Sequence, residues 1–77
     1  MPKLKPVDYK TLIKIFEADG FTQARSKGSH RSLVKEGVAR PIVIPSYDEV
    51  GLDIIKSCMK TAGMSRETYF RLLKKMK

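Results

Sequence analysis

The sequence predicts an α+β domain: a helix, a three-stranded antiparallel sheet, a second helix and a short C-terminal helix. Three observations carry that prediction. Tyr9, Leu12, Ile13 and Phe16 recur at i, i+3, i+4 and i+7, the spacing of one helical face. That period disappears between Phe21 and Ile44, where short runs containing Thr, Val, Ile and Phe are separated by glycine. It returns beyond Pro45 in Leu52, Ile55, Cys58, Met59 and Ala62. A chain that groups its helices on either side of a run of strands packs them on one face of a small sheet.

The first helix is expected over residues 8–19. Asp8 is a suitable N-cap, Gly20 follows the last turn as a stop, and Lys10 and Lys14 fall on the polar side. Strands are expected over 21–26, 30–35 and 40–44, with Gly28-Ser29 at the first junction and Glu36-Gly37 as a tight reversal at the second. Pro41 lacks the N–H a ladder needs, which puts the third strand at an edge or gives it a bulge there. As an exposed edge it could pair with another chain. The loop 45–51 is opened by proline, and the second helix stops at Gly63. Ser65 caps the last helix, whose stripe is Tyr69, Leu72, Leu73 and Met76. Lys74, Lys75 and Lys77 complement its C-terminal dipole.

A chain of 77 residues is one domain, expected to span 1–77. It can hold one modest core but no deep cofactor cavity beside a second lobe. Residues 1–6 read as a flexible N-terminus. They are basic but lead into no apolar core with a cleavage site, so they do not read as a signal peptide. One cysteine excludes an internal disulfide framework, and one Cys with one His does not build a four-ligand zinc site. No apolar run approaches the roughly 18 residues of a membrane span. A cytoplasmic protein is expected.

Charge narrows the function. Sixteen Lys and Arg against eight Asp and Glu give a net charge of +8 and a pI near 9.9, the footprint of a polyanion binder. Nucleic acid is the first candidate partner, an anionic membrane surface the second and an acidic protein the third. Between Phe21 and Tyr47 stand Arg25, Lys27, Arg31, Lys35 and Arg40 against the single acid Glu36. With helices on one face of the sheet, the other is either inert and solvated or the working surface, and this segment would supply its charge.

Several chemistries lack their residues. The chain has no glycine-rich nucleotide loop, and Asp48 and Glu49 are adjacent in a loop, where their side chains diverge. Cys58 lies on the apolar stripe of its helix and reads as a small core residue. Ser29 has only the neighbouring His30 as a base and no evident orienting acid. The remaining candidate is His30, the one histidine, within Arg25-Ser26-Lys27-Gly28-Ser29-His30-Arg31. A lone histidine is more often a surface or half-buried polar residue, but this one has basic neighbours and a glycine that lets backbone approach a ligand. Cleavage of an RNA phosphodiester needs a group titrating near neutrality to move a proton and cations for the developing phosphorane charge.

Gly20-Phe21, Arg25, Lys27-Gly28-Ser29-His30, the hairpin ending Ile42-Val43-Ile44-Pro45, and Thr61-Ala62-Gly63-Met64-Ser65-Arg66-Glu67 together resemble the HicA family of toxins from toxin–antitoxin pairs. The resemblance covers residues 8–73. It implies a fold similar to the double-stranded RNA-binding domain, ribosome-independent mRNA interferase activity with His30 as the catalytic residue, and no cofactor. It also implies a HicB-type antitoxin that covers the active face, with operator DNA met only through the toxin–antitoxin complex. On this reading Arg25, Lys27, Gly28, Ser29 and Arg31 contact RNA. The chain departs from the pattern after the third strand, where many members have a histidine or a Gly-Asn-rich turn and this one has Tyr47-Asp48-Glu49-Val50-Gly51. A two-imidazole acid–base pair is therefore impossible, and water, Lys27 or Tyr47 must complete the proton transfer. The same scaffold also suits a non-catalytic RNA-binding module or a domain that binds only its antitoxin.

Overall fold

The computed structural model describes residues 3–75; of residues 25–27 it describes the backbone but not the side chains. Helix α1 (Tyr9–Ala18) is followed by strands β1 (Thr22–Lys27), β2 (His30–Val34) and β3 (Ile42–Pro45), then helices α2 (Leu52–Ala62) and α3 (Arg66–Lys75). The strands form one antiparallel sheet in the order β1-β2-β3. The expected helix–sheet–helix order and the third helix are all present.

The helix boundaries follow the chemistry of their ends. Asp8 caps α1: its carboxylate accepts from the Thr11 N–H at 3.4 Å and from the Thr11 hydroxyl at 2.5 Å. Gly20 follows α1 with φ near 107°, and Gly63 closes α2 with φ near 68°, both in a region costly for residues with a Cβ. Ser65 accepts from the Thr68 N–H at 3.2 Å and so caps α3. Met76 and Lys77, expected in α3, lie outside the described residues.

β2 decides how the layers stack. Leu33 is fully buried while His30 and Val34 are exposed, so the odd positions face the core and the even ones face away. β2 pairs with β3 through Leu33↔Ile42 and Arg31↔Ile44 on the core face, and through His30↔Pro45 and Ser32↔Val43. Ile42 and Ile44 join Leu12, Ile15, Phe16, Ile55 and Tyr69 in the core, with α1 packed on β3 and α3 behind α1.

Three expectations need correction. The reversal at Glu36-Gly37 is real, with the Val38 N–H donating to the Lys35 carbonyl at 3.0 Å, but β3 begins at Ile42 rather than residue 40. Val38 turns back onto the core first, and Pro41 has no N–H for the ladder. β3 does lie at the sheet edge, as Pro41 predicts, and the register shift in the sheet falls in β1, between Gln23 and Arg25. β3 is an edge strand but not a bare one. α2 packs beside it, and the Cys58 Sγ approaches the Val43 carbonyl at 3.9 Å. Finally, residues 3–6 are not a free tail throughout: Leu4 is buried at 8% exposure, and Val7 pairs with Val50 in an isolated bridge.

The Asp8 cap gives a stability prediction. Its hydrogen bond from the Thr11 hydroxyl holds the carboxyl below its ordinary value of 3.8. A group with a depressed folded value stabilises fully above its unfolded value and loses that contribution as pH falls through the folded one. Asp8→Ala should cost about 1 kcal/mol at neutral pH, lowering Tm by about 4–8 °C in a domain of this length. The Tm gap between the two proteins should narrow below about pH 3.8, as thermal melts followed by circular dichroism will show.

Candidate functional site

The turn between β1 and β2 delivers the histidine. Gly28 has φ near 60° while Ser29 stays at negative φ, the sign pattern of a type II′ turn, which takes glycine first. A two-residue turn of this type matches the right-handed twist of its strands and pairs Lys27 directly with His30. The turn is tied to the rest of the fold: the Ser46 N–H donates to the Ser29 carbonyl at 2.6 Å. His30 therefore begins β2 at a fixed height, and its side chain is exposed on the face away from the core.

The ring also lines an open groove of about 570 Å³. One wall is β3 with its flanks, contributing Arg40, Pro41, Val43, Pro45 and Tyr47; the other is α2, contributing Asp53, Ile54, Ser57, Cys58 and Thr61. Asp53, Ser57 and Thr61 follow one another at helical spacing, so α2 turns a polar row toward β3. Val43 and Tyr47 are among the large apolar or aromatic side chains left exposed, at 45% and 53%.

The residues expected to act with His30 divide into three groups. Gly28 and Ser29 are exposed in the turn beside it. Lys27 and Arg25 occupy the register positions opposite His30 and Ser32; the contacts expected of their side chains lie outside the described residues. Arg31 does not share the His30 face. As an odd position of β2 it points to the helix side, half-buried, with its guanidinium 5.5 Å from the Tyr9 ring centroid, where cation and ring attract. Lys35 is likewise engaged, 3.5 Å from the Asp19 carboxylate and 5.5 Å from the Phe21 ring centroid. The cationic segment is thus shared between the two faces, because adjacent residues in a strand point opposite ways.

Sequence reasoning did not place α2 or Arg40 beside His30. The i, i+4 row of Asp53, Ser57 and Thr61 was visible in the sequence, but nothing local says that this helix lies along β3. Among the described residues no three His, Cys, Asp or Glu side chains converge as a metal site, and no helix is long and apolar enough to cross a membrane.

A small α+β protein with an exposed histidine on the helix-free face of a three-stranded sheet is the class that fold and site define. The family model of the HicA toxin of bacterial toxin–antitoxin systems matches residues 9–64, from the start of α1 to the residue after the α2 cap. The chain belongs to the HicA toxin family, and its role is that of a toxin paired with an antitoxin. No curated protein matches the chain.

Cys58 is set apart from this surface chemistry. Burial pushes its thiol up to about 11 from an ordinary value near 9.0, because the thiolate would lose its hydration. The native protein should react with a thiol-specific reagent at pH 7–8 at least about 100-fold more slowly than the unfolded chain, the factor set by the thiolate fraction alone. Equal rates before and after denaturation, followed by thiol labelling, would show an accessible and ionisable sulfur.

Proposed function

We propose that this toxin is an endoribonuclease that cuts mRNA without a metal ion, with His30 as the catalytic residue. The 2′-hydroxyl attacks the adjacent phosphorus as His30 takes up its proton; the bond to the 5′-oxygen breaks, leaving a 2′,3′-cyclic phosphate. A proton returned by water or a neighbouring side chain completes the new 5′-hydroxyl. Lys27, and after it Arg25, would face the phosphorane charge from the register positions opposite His30 and Ser32. Gly28 and Ser29 would offer backbone amides to a phosphate oxygen. Arg31 drops out of this set, since it serves the helix face. One observation carries the reading: the chain's one imidazole stands exposed on the uncovered side of the sheet, at a height fixed by a glycine turn.

The partner in this reading is a HicB-type antitoxin that covers the His30 face, with operator DNA bound only by the complex. The protein would act in the cytoplasm, where mRNA is available.

His30→Ala should lower RNA cleavage by about 10²- to 10⁴-fold, the usual share of a general acid or base. Its melting temperature should be unchanged, because the side chain contributes nothing to the core. Cleavage by the wild type should persist in EDTA. A folded His30→Ala protein that degrades transcripts at the parent rate would remove the assignment. An RNA-binding module without catalysis would instead leave RNA intact and shift it on a gel in a salt-dependent way.

A further inference from the structure

The groove beside His30 asks for an occupant, and its chemistry chooses among them. It carries one cation, Arg40, and one carboxylate, Asp53, so it is a poor cradle for a phosphate. Its strand-side wall is apolar and aromatic (Pro41, Val43, Pro45, Tyr47), while α2 supplies acceptors and hydroxyls. A flat π-system with polar edges suits those two walls. An added β-strand suits them less, because α2 already packs along the β3 edge where it would pair.

Tyr47 is the unusual member. Its backbone is held on both sides: its N–H donates to the Pro45 carbonyl at 2.9 Å, and its carbonyl accepts from the Tyr9 N–H at 3.2 Å. The preceding Ser46 is bonded to Ser29, and the loop ends in the Val50–Val7 bridge, with the Val50 N–H 2.7 Å from the Val7 carbonyl. A loop pinned at four points nevertheless leaves its aromatic ring 53% exposed, whereas Tyr69 is fully buried and Tyr9 lies under Arg31. A ring presented in this way on a rigid backbone costs little entropy to stack upon.

We propose that the β3–α2 groove is a nucleobase subsite, in which Tyr47 stacks a base of single-stranded RNA next to the phosphodiester that His30 acts on. The inference rests on the reading of His30 as the cleaving residue, but it concerns binding and is tested by binding. Stacking is tolerant of base identity, so the subsite fixes the position of the strand more than its sequence.

The test uses the full chain carrying His30→Ala and a short 2′-O-methyl oligoribonucleotide, which cannot be cleaved, with binding followed by fluorescence anisotropy. Adding Tyr47→Ala should weaken binding roughly 5- to 100-fold, the range for loss of one base–aromatic stack. Adding Tyr47→Phe should keep it within about twofold, and a thermal melt of each variant confirms folding. Equal affinity of the folded Tyr47→Ala protein would overturn the subsite, as would an absence of any oligonucleotide binding by the parent. Loss of antitoxin binding by Tyr47→Ala with RNA binding unchanged would assign the groove to the antitoxin instead. Cleavage unaffected by His30→Ala would remove the catalytic assignment and leave a measured Tyr47 effect on binding standing.

Discussion

The register between β2 and β3 determines where the imidazole ends up. Leu33 pairs with Ile42 and Arg31 with Ile44, so the core face of β2 is spoken for by two cross-strand pairs beneath α1. A strand has a period of two, and a slip of one residue would bury His30 and expose Leu33. Leu33 is the one fully buried side chain of β2, and its burial stabilises the observed register by about 1.5–3 kcal/mol. The exposure of His30 is therefore a consequence of core packing at Leu33, three residues away. The turn at Gly28-Ser29 then sets its height, and the Ser46–Ser29 hydrogen bond ties that height to the loop carrying Tyr47.

The same period disposes of the charge. A basic run in sequence becomes two half-runs in a strand, one on each side. Arg31 is drawn to the helix side, where its long stem covers apolar surface and its guanidinium meets Tyr9. Lys35 sits at the end of the sheet, bridging to Asp19 just past α1. These two cations hold helix α1 to the hairpin, and the +8 of the whole chain is consequently less concentrated on the His30 face than the linear sequence suggests. Attraction for a polyanion is then a property of the whole molecule, acting over about a Debye length, while the site itself contributes geometry.

This division explains which parts of the structure were legible in the sequence. α1, α2 and α3 were legible because each carries a 3.6-residue stripe and its own stop or cap: Asp8 and Gly20, Gly63, Ser65. The hairpin turn was legible because Gly-Ser is a turn signal in itself. The start of β3 was not, because Arg40 and Pro41 look like strand flank until one knows that Val38 must first reach the core. Leu4 was misjudged for a similar reason: a single leucine among prolines and lysines has no period to reveal it, and only the completed core shows the gap it fills. In the site, His30 was legible by being alone. Arg31 was not, since the parity of a strand residue depends on which neighbour the core claims.

The size of the chain explains why the site takes the form it does. With 77 residues the protein can enclose one core, and that core consumes the interior side of every element. No room remains for a closed site that excludes water on all sides, so the face that carries His30 is a surface and the groove beside it is open along β3. A small metabolite would gain too little from such a surface to be held. A polymer is different, because each further nucleotide adds a contact without a new cost in translational freedom. The pinned loop fits that logic: an open site cannot order its substrate by closing over it, so whatever positions the strand must be rigid beforehand. The backbone bonds that hold Ser46, Tyr47 and Val50 supply that rigidity within hydrogen-bonding reach of the turn that carries the histidine. The exposure of His30 leaves its face accessible to a polymer and to a partner protein alike. In a protein this small, covering one side of a sheet would close off that whole face.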